Sequence, residues 1–416
     1  MSLTNLESRN AAPASMPAVP LGSLADFDHQ PGVRLIFGAG SSMRAGQLAR
    51  DYGARHVLLV TDPGIVAAGH AGRIQGYLEA AGLDVSIFDQ ADQNPTNGTI
   101  DRCLAVARGP KVDFIIGLGG GSAMDTAKGC NFIFTNGGSI QDYWGHGKAS
   151  KPMLPFIAIP TTAGTGSECQ SFALIADERT HVKMACGDPK AAAKLAILDP
   201  ELTLSQPRGV TACTGIDTIT HAVESAVTKK RNALSLMYAH EALKLSIASF
   251  HEVLETPRDV EARSRMQLAA AFAGIAIENS MLGAAHSAAN PLTAHYGTIH
   301  GIAVGLMLPH VVRFNSEDES ARRAYAELAS APELACVSDG EEYAVESLVR
   351  RIEALLNLAD MPRSLVECGV KQADIPRLAE EAARQWTASF NPRNVTIRDF
   401  IGLYEAAMEP RESHTL

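Results

Sequence analysis

The sequence predicts an α/β domain with a mostly parallel sheet, followed by an all-α domain. Over the first half of the chain, short apolar runs rich in β-branched and aromatic residues alternate with helix-compatible segments, as in strand–helix–strand units. Beyond about residue 210 the apolar residues recur at helical spacing, and convincing strand patterns end. A chain of 416 residues is also too long to fold around a single hydrophobic core, so two domains are expected.

The α/β domain is assigned to residues 24–203. Residues 1–23 combine Ser, Pro and Ala without apolar periodicity, so they are predicted to form a flexible extension. The strand candidates are Arg34–Phe37, His56–Thr61, Val85–Phe88, Phe114–Gly117 and Pro155–Ile159. The helix-compatible segments between them include Ser42–Tyr52, Ile65–Ala81 and Ile100–Arg108. This alternation favours a Rossmann-like sheet with helices on both faces.

The all-helical domain is assigned to residues 204–416, after the turn-rich stretch LDPELTLSQPRG. Its helix candidates are Thr218–Thr228, Ala233–Val253, Glu261–Asn279, Glu342–Leu356 and Ile375–Gln385.

Composition narrows the partners and the compartment. The net charge of −10 and the lack of a dense Lys/Arg cluster argue against a nucleic-acid partner. No uninterrupted apolar run is long enough to span a bilayer, so no membrane partner is expected. The seven cysteines are scattered and never form a C-x-x-C pair, which is typical of reduced thiols in a cytoplasmic protein.

A glycine-rich turn follows the fourth strand candidate in DFIIGLGGGSAMDTAKG. Gly119, Gly120 and Gly121 precede Ser122 and a helix, so backbone amides can approach a ligand at a helix N-terminus. A pyrophosphate is the ligand that this arrangement favours, which makes the domain a candidate dinucleotide-binding domain. Ser122 replaces the last glycine of the G-x-G-x-x-G pattern, and a tight turn without a ligand is the alternative.

Two further polar segments follow strand candidates. Asp62 ends the run VLLVT, where a carboxylate binds an adenosine ribose and repels a 2′-phosphate, which favours NAD over NADP. The alternative is that Asp62 belongs only to a turn. Thr161 and Thr162 begin the loop PTTAGTGSE, at the strand end where open α/β sheets bind ligands, with a solvated loop as the alternative.

Four residues of the second domain have the spacing of a divalent-metal site. Asp217 and His221 lie four apart, so on a helix they share one face, and His286 and His300 would complete a shell of three nitrogens and one carboxylate. Such a shell suits zinc or ferrous iron and can leave a position open for substrate. The alternative is a set of unrelated structural histidines and a chance i,i+4 pair.

Five motifs in order resemble the iron-dependent, or group III, alcohol dehydrogenases: GLGGGSAMDTAK, IPTTAGTGSE, LDPELT, GIDTITHAVES and HSAANPLTAHYGTIHG. The resemblance covers about residues 30 to 410. It implies hydride transfer between nicotinamide and a metal-bound alcohol or carbonyl, with Fe²⁺ preferred over Zn²⁺, in a homo-oligomer, commonly a dimer. It implies the metal ligands Asp217, His221, His286 and His300, and the cofactor contacts Asp62, Asn94, Gly119, Gly120, Gly121, Ser122, Thr161, Thr162 and Lys183.

One position departs from the family pattern. Many members have a second histidine near the nicotinamide, four residues after the third ligand, and here this position is Asn290. An amide is not an acid or a base at neutral pH, so the proton must use water, the cofactor ribose or another side chain. His295 is a candidate, although helical spacing points it away from Asn290.

Other activities remain as alternatives. Within the family, a maleylacetate reductase or a reductase of phosphonate- or carboxylate-bearing aldehydes is the nearest. A dehydroquinate synthase-like lyase would share the architecture, but it needs several basic residues around an acidic substrate. Near the metal motifs the chain offers only Lys229, Lys230 and Arg231. A catalytically inactive binding protein is disfavoured because all four ligand positions are filled.

Overall fold

The computed structural model describes Phe27 and residues 32–109, 111–179 and 182–410. The predicted extension at residues 1–23 lies outside these described residues. The predicted fold class is confirmed: a six-stranded parallel sheet with helices on both faces is followed by a region in which the described residues form helices but no strand.

The strands are numbered in chain order. They are β1 Arg34–Phe37, β2 His56–Val60, β3 Asp84–Phe88, β4 Phe114–Gly119, β5 Gly145–His146, β6 Phe156–Pro160, β7 Phe172–Ala176, β8 Lys183–Gly187 and β9 Leu195–Leu198. The parallel sheet has the order β1-β9-β6-β4-β2-β3, and a smaller sheet has the order β5-β8-β7. The central strands β2, β4 and β6 read as nearly continuous apolar runs because helices cover both of their faces.

Five helices accompany the large sheet. They are α1 Ala45–Asp51, α2 Pro63–Ala67, α3 His70–Ala80, α4 Asn97–Arg108 and α5 Gly121–Asn136. The apolar side chains of α1 and α3 form a core with one sheet face, and those of α4 and α5 with the other. In α4 the Thr96–Thr99 capping box fixes the start, and Ile100, Cys103 and Leu104 are buried at helical spacing.

The second region is a helical bundle. Its helices are α6 Arg208–Ser225, α7 Ala233–Glu255, α8 Val260–Ser280, α9 Ala284–Tyr296, α10 His300–Asn315, α11 Glu319–Ser330, α12 Glu341–Leu358, α13 Ile375–Ala383 and α14 Ile397–Met408. They share one continuous apolar core. Within the described residues, no single helix is long and apolar enough to cross a membrane; α8 and α9 meet that test only together, with a bend of 106° between them.

Most element boundaries agree with the predictions to within a few residues, but three differences stand out. Helix α6 begins at Arg208, ten residues before the predicted start at Thr218. The predicted helix Ile65–Ala81 is two helices, because Gly69 adopts a left-handed φ of 78° between α2 and α3. Strands β5, β7, β8 and β9 were not among the strand candidates, because runs of two to five residues give only a weak strand pattern in the sequence.

The two regions meet where the loop after β6 crosses α8. Gly166, with a φ of 63°, and Gly274 approach so closely that a Cβ on Gly274 would lie 2.4 Å from the Gly166 carbonyl oxygen. The same loop is held from the sheet side by the buried Lys128 of α5. Its Nζ donates to the carbonyl oxygens of Ser167, Gln170 and Phe172 at 2.6, 2.8 and 2.9 Å.

We expect Gly274→Ala to destabilise the protein by about 1–3 kcal/mol, because the added methyl group collides with backbone that cannot move aside cheaply. Thermal denaturation followed by circular dichroism measures the effect as a fall in Tm. Gly72→Ala is the matched control, since a Cβ there meets no atom within 4 Å and alanine favours the helix. Equal Tm values for the two variants would contradict the proposed close crossing.

Candidate metal and cofactor site

Three helices bring the four predicted metal-binding side chains together. Asp217 and His221 lie on one face of α6, His286 lies in the first turn of α9, and His300 is the first residue of α10. The Nε2 atoms of His221, His286 and His300 lie 3.4, 3.6 and 3.8 Å from Asp217 Oδ1. The three nitrogens therefore converge on Asp217 Oδ1, and donor atoms of Asp217, His221 and His286 all lie within 4.8 Å of one another.

The donor set fits a divalent cation. Asp217, His221 and His286 are buried, and within the described residues Asp217 Oδ1 and His286 Nε2 have no hydrogen-bond partner. Such buried polar atoms are costly unless something binds them. Bonds of about 2.0–2.2 Å to a tetrahedral ion place neighbouring donors about 3.3–3.6 Å apart, close to the spacing observed. The His300 side chain is 29% exposed, so the cluster opens to solvent on that side.

Glu224 supports the cluster from behind, and the sequence reasoning did not identify it. Its Oε2 accepts a hydrogen bond from His286 Nδ1 at 2.5 Å, and its Oε1 accepts one from the Ala285 amide at 2.7 Å. This contact orients Nε2 of His286 toward Asp217. The one feature of the sequence that could have identified Glu224 is its spacing, because it lies seven residues after Asp217 and therefore on the same helix face.

The charge environment sets the protonation states. Burial favours neutral imidazole, so it lowers the pKa of His221 and lowers that of His300 to about 3. Burial also opposes the charge on His286, but the Glu224 and Asp217 carboxylates together outweigh it and raise the pKa of His286 to about 9. For Asp217, burial acts to raise the pKa, and the facing imidazoles overcome it and lower the pKa. A cation would therefore meet an ionised carboxylate and displace one proton, from His286.

The predicted dinucleotide segments meet at the carboxyl edge of the large sheet. Strands β4 and β6 pair in register up to Gly119 and Pro160, so the glycine-rich turn lies beside the loop that starts at Thr161. The Thr161 amide donates to the Gly119 carbonyl at 2.9 Å, and Thr161 Oγ1 is buried without a partner among the described residues. A Cβ on Gly119 would lie 3.1 Å from Asp62 Oδ2.

The remaining cofactor candidates lie around the same edge. Thr162 faces Gly120, and Thr165 faces Gly121 so closely that a Cβ on that glycine would lie 2.8 Å from it. Ser122 Oγ donates to the Gln93 carbonyl, next to Asn94. Asp62 Oδ1 accepts from the Ile65 amide at 3.1 Å and caps α2, as the turn alternative predicts, and its contact with a ribose stays a prediction.

The loop that starts at Thr161 packs directly on α6, the helix of Asp217 and His221. Thr218 Oγ1, beside Asp217, lies 3.3 Å from the carbonyl oxygens of both Ala163 and Gly164. A Cβ on Gly164 would lie 2.5 Å from that of Thr214. The dinucleotide edge and the metal cluster are thus neighbours in space.

A cavity of about 950 Å³ opens beside the cluster, and Asn94, Lys183, Asn290 and His295 line it. Burial lowers the pKa of Lys183, while Asp125 and Asp217 act to raise it. Asn290 donates to Gln385 Oε1 at 3.0 Å, and His295 is hydrogen-bonded to Glu381 at 2.7 Å. Asn290 and His295 thus both line the cavity, although their side chains bond to different residues.

A glycine-rich strand-to-helix turn beside a buried cluster of histidines and a carboxylate is typical of one class, the metal-dependent oxidoreductases that use a dinucleotide. A family model for iron-containing alcohol dehydrogenases matches residues 32–200, and one for the C-terminal part of the Fe-containing alcohol dehydrogenase family matches residues 211–408. The chain belongs to the iron-containing alcohol dehydrogenase family.

Individual relatives agree over nearly the whole chain. Alcohol dehydrogenase 4 of Schizosaccharomyces pombe is 35% identical, over 90% of this chain and 87% of that protein. The NAD-dependent methanol dehydrogenase of Bacillus methanolicus is 33% identical, over 90% of this chain and 97% of that protein. The crystal structure of a 1,3-propanediol oxidoreductase matches with a TM-score of 0.89 and 30% identity, over 92% of this chain and 100% of its own.

We expect Glu224→Gln to weaken metal binding about 10- to 100-fold, because the amide orients His286 without a negative charge. Competition with a chromophoric chelator measures the affinity of the purified protein for Fe²⁺ and Zn²⁺. Glu342→Gln, on the exposed face of α12, is the matched control. Unchanged affinity in Glu224→Gln would show that this carboxylate does not support the site.

Proposed function

We propose that the chain is a metal-dependent, NAD(H)-linked alcohol dehydrogenase and aldehyde reductase. The observation that carries the proposal is the convergence of three imidazole nitrogens on Asp217 Oδ1, beside the glycine-rich edge of the sheet. The relatives named for alcohol and methanol oxidation, and the one named for NAD dependence, support it.

Asp217, His221, His286 and His300 hold the cation in this proposal, with Fe²⁺ preferred and Zn²⁺ as the alternative. When bound, the cation polarises an alcohol or carbonyl oxygen, and the nicotinamide exchanges the hydride. The His300 side chain is partly exposed, so the cluster is open to solvent on that side, where a small alcohol or aldehyde can approach in this proposal.

The edge of the large sheet binds NAD in this proposal. The turn Gly119–Ser122 and the start of α5 bind the pyrophosphate, because their amides have no Cβ in the way and the helix N-terminus is positive. Thr161, Thr162 and Asn94 position the rest of the dinucleotide. Lys183 lines the cavity and is under the electrostatic influence of Asp217, and in this proposal it contacts the ribose nearest the nicotinamide.

Asn290 occupies the cavity wall one helical turn after His286. Its amide is held by Gln385 and cannot give or take a proton at neutral pH, so we assign it a positioning role. Proton exchange then uses water or the cofactor ribose. This feature also keeps a maleylacetate reductase, or a reductase of phosphonate- or carboxylate-bearing aldehydes, as the alternative within the family.

The wider organisation completes the proposal. We place the boundary between the dinucleotide-binding and metal-binding domains at residues 203 and 204, where the chain passes from β9 to α6. A cytoplasmic homodimer is proposed on the family resemblance and on the cysteines, which are all free thiols.

We expect His286→Ala to lose bound metal and nearly all NADH oxidation with aldehydes, because it removes a donor and leaves Glu224 buried without its partner. Metal content by plasma mass spectrometry and initial rates with propanal measure both effects. His251→Ala, on an exposed position of α7, is the control. Full metal content and full turnover in His286→Ala would refute the proposed centre.

We expect the enzyme to prefer NADH to NADPH, because the Asp62 carboxylate repels a 2′-phosphate. Asp62→Asn keeps a residue that caps α2 but removes the charge, so the ratio of kcat/KM for NADH over NADPH should fall about tenfold. Steady-state kinetics with both cofactors measure the ratio. A wild-type preference for NADPH would overturn this role of Asp62.

A further inference from the structure

The cavity beside the metal cluster has an aromatic wall, which we define as Trp144, Phe172, Trp386 and Phe390. The chain contains two tryptophans, and both are in this wall. They are 51% and 40% exposed, and Phe390 and Phe172 extend the same surface. Large aromatic side chains left open in a concave site are typical of ligand contacts.

Three of the four rings, those of Phe172, Trp386 and Phe390, form a connected surface. Phe172 and Trp386 stack with centroids 5.6 Å apart and an interplanar angle of 21°. Trp386 and Phe390 meet edge to face at 5.8 Å and 86°. Lys230 Nζ lies 5.0 Å from the centroid of Phe390, over its face. A further ring can therefore extend the row in the geometry that aromatic groups prefer.

The wall is fixed to both halves of the proposed active site. Thr387, next to Trp386, is hydrogen-bonded through Oγ1 to Ser287 Oγ at 2.7 Å, and Ser287 follows His286 in α9. The Phe172 carbonyl accepts from Lys128 Nζ at 2.9 Å, and Lys128 belongs to the helix of the glycine-rich turn. The backbone at Phe172 and the residue next to Trp386 are thus held in place before a ligand arrives.

The size of the cavity points to a large substrate. Its volume is about 950 Å³, whereas a cavity of about 150 Å³ already holds benzene and one water occupies about 30 Å³ of liquid. A methanol-sized substrate would leave most of this space to water.

We propose that the cavity selects aldehydes and primary alcohols that carry an aryl group, whose ring packs on the aromatic wall. This specificity rests on the oxidoreduction proposed above. In the reductive direction the carbonyl carbon takes a hydride from NADH and the oxygen takes a proton from water, giving the primary alcohol and NAD⁺. Trp386 and Phe172 are specificity-determining residues in this assignment.

The first test compares two aldehydes that differ only by a phenyl group, 3-phenylpropanal and propanal, with the metal-loaded enzyme and NADH. We expect kcat/KM to be at least about tenfold higher for 3-phenylpropanal, from ring burial and aromatic contact. If propanal is reduced equally well or better, the aryl specificity is wrong while the proposed function stands. If neither aldehyde is reduced, the proposed function itself fails.

Substitutions in the wall separate this specificity from general damage. We expect Trp386→Ala to reduce kcat/KM for 3-phenylpropanal at least about fivefold more than kcat/KM for propanal, with Trp386→Phe restoring most of the difference. Tyr343→Ala, an exposed aromatic residue on α12 outside the cavity, should leave both values unchanged. Equal losses for the two aldehydes in Trp386→Ala would refute the assignment.

Binding can be measured without turnover. Trp144→Phe leaves Trp386 as the only tryptophan, so its fluorescence reports the wall directly. We expect 3-phenylpropan-1-ol, added to the metal-loaded enzyme saturated with NAD⁺ at a pH that suppresses oxidation, to change this fluorescence saturably, and propan-1-ol to leave it unchanged. If NAD⁺ alone saturates the change and the aryl alcohol adds nothing, the wall belongs to the cofactor and the inference is wrong.

Discussion

The burial of the Asp217 carboxylate among three imidazole nitrogens is the constraint on which the helical region depends. A carboxylate taken out of water needs compensation, and here it comes from side chains on three separate helices. His286 lies in the first turn of α9 and His300 at the first residue of α10, so both helix N-termini bring partial positive charge toward the cluster. Glu224 then fixes His286, which sets the rotation of α9 about its axis.

The register of the strands in the large sheet forms the other half of the candidate site, the dinucleotide edge. Because β4 and β6 end side by side, the glycine-rich turn and the threonine loop meet at one edge. The threonine loop contacts α6 at Thr218 and crosses α8 at Gly274. One segment of backbone therefore touches the proposed cofactor edge of the sheet, the helix that carries Asp217, and the rest of the helical bundle. Lys128 stabilises this segment by satisfying carbonyl oxygens that a buried loop would otherwise leave unpaired.

The sequence predicts some of these features and cannot predict others, for physical reasons. The metal quartet was visible because i,i+4 spacing on a helix and two histidines in Gly/Ala-rich surroundings leave a local pattern. The role of Glu224 could not be predicted from the sequence, because a carboxylate that orients a metal-binding histidine has no characteristic spacing from that histidine. The aromatic wall joins Phe172 to Trp386, far apart in the chain, and only the packing of the small sheet against α9 and the segment after α13 brings them together. Asn290 was identified by sequence, but its hydrogen bond to Gln385 was not.

The bond from Lys128 to the Phe172 carbonyl has a consequence for divergence within the family. It fixes the backbone at residue 172 and leaves the side chain unconstrained by that contact. A lineage can therefore exchange the ring at this position for a smaller or more polar group without moving the loop that faces the dinucleotide. The substrate range and the cofactor geometry can then change independently in evolution, although the Lys128 ammonium group binds the backbone near both the aromatic wall and the dinucleotide edge.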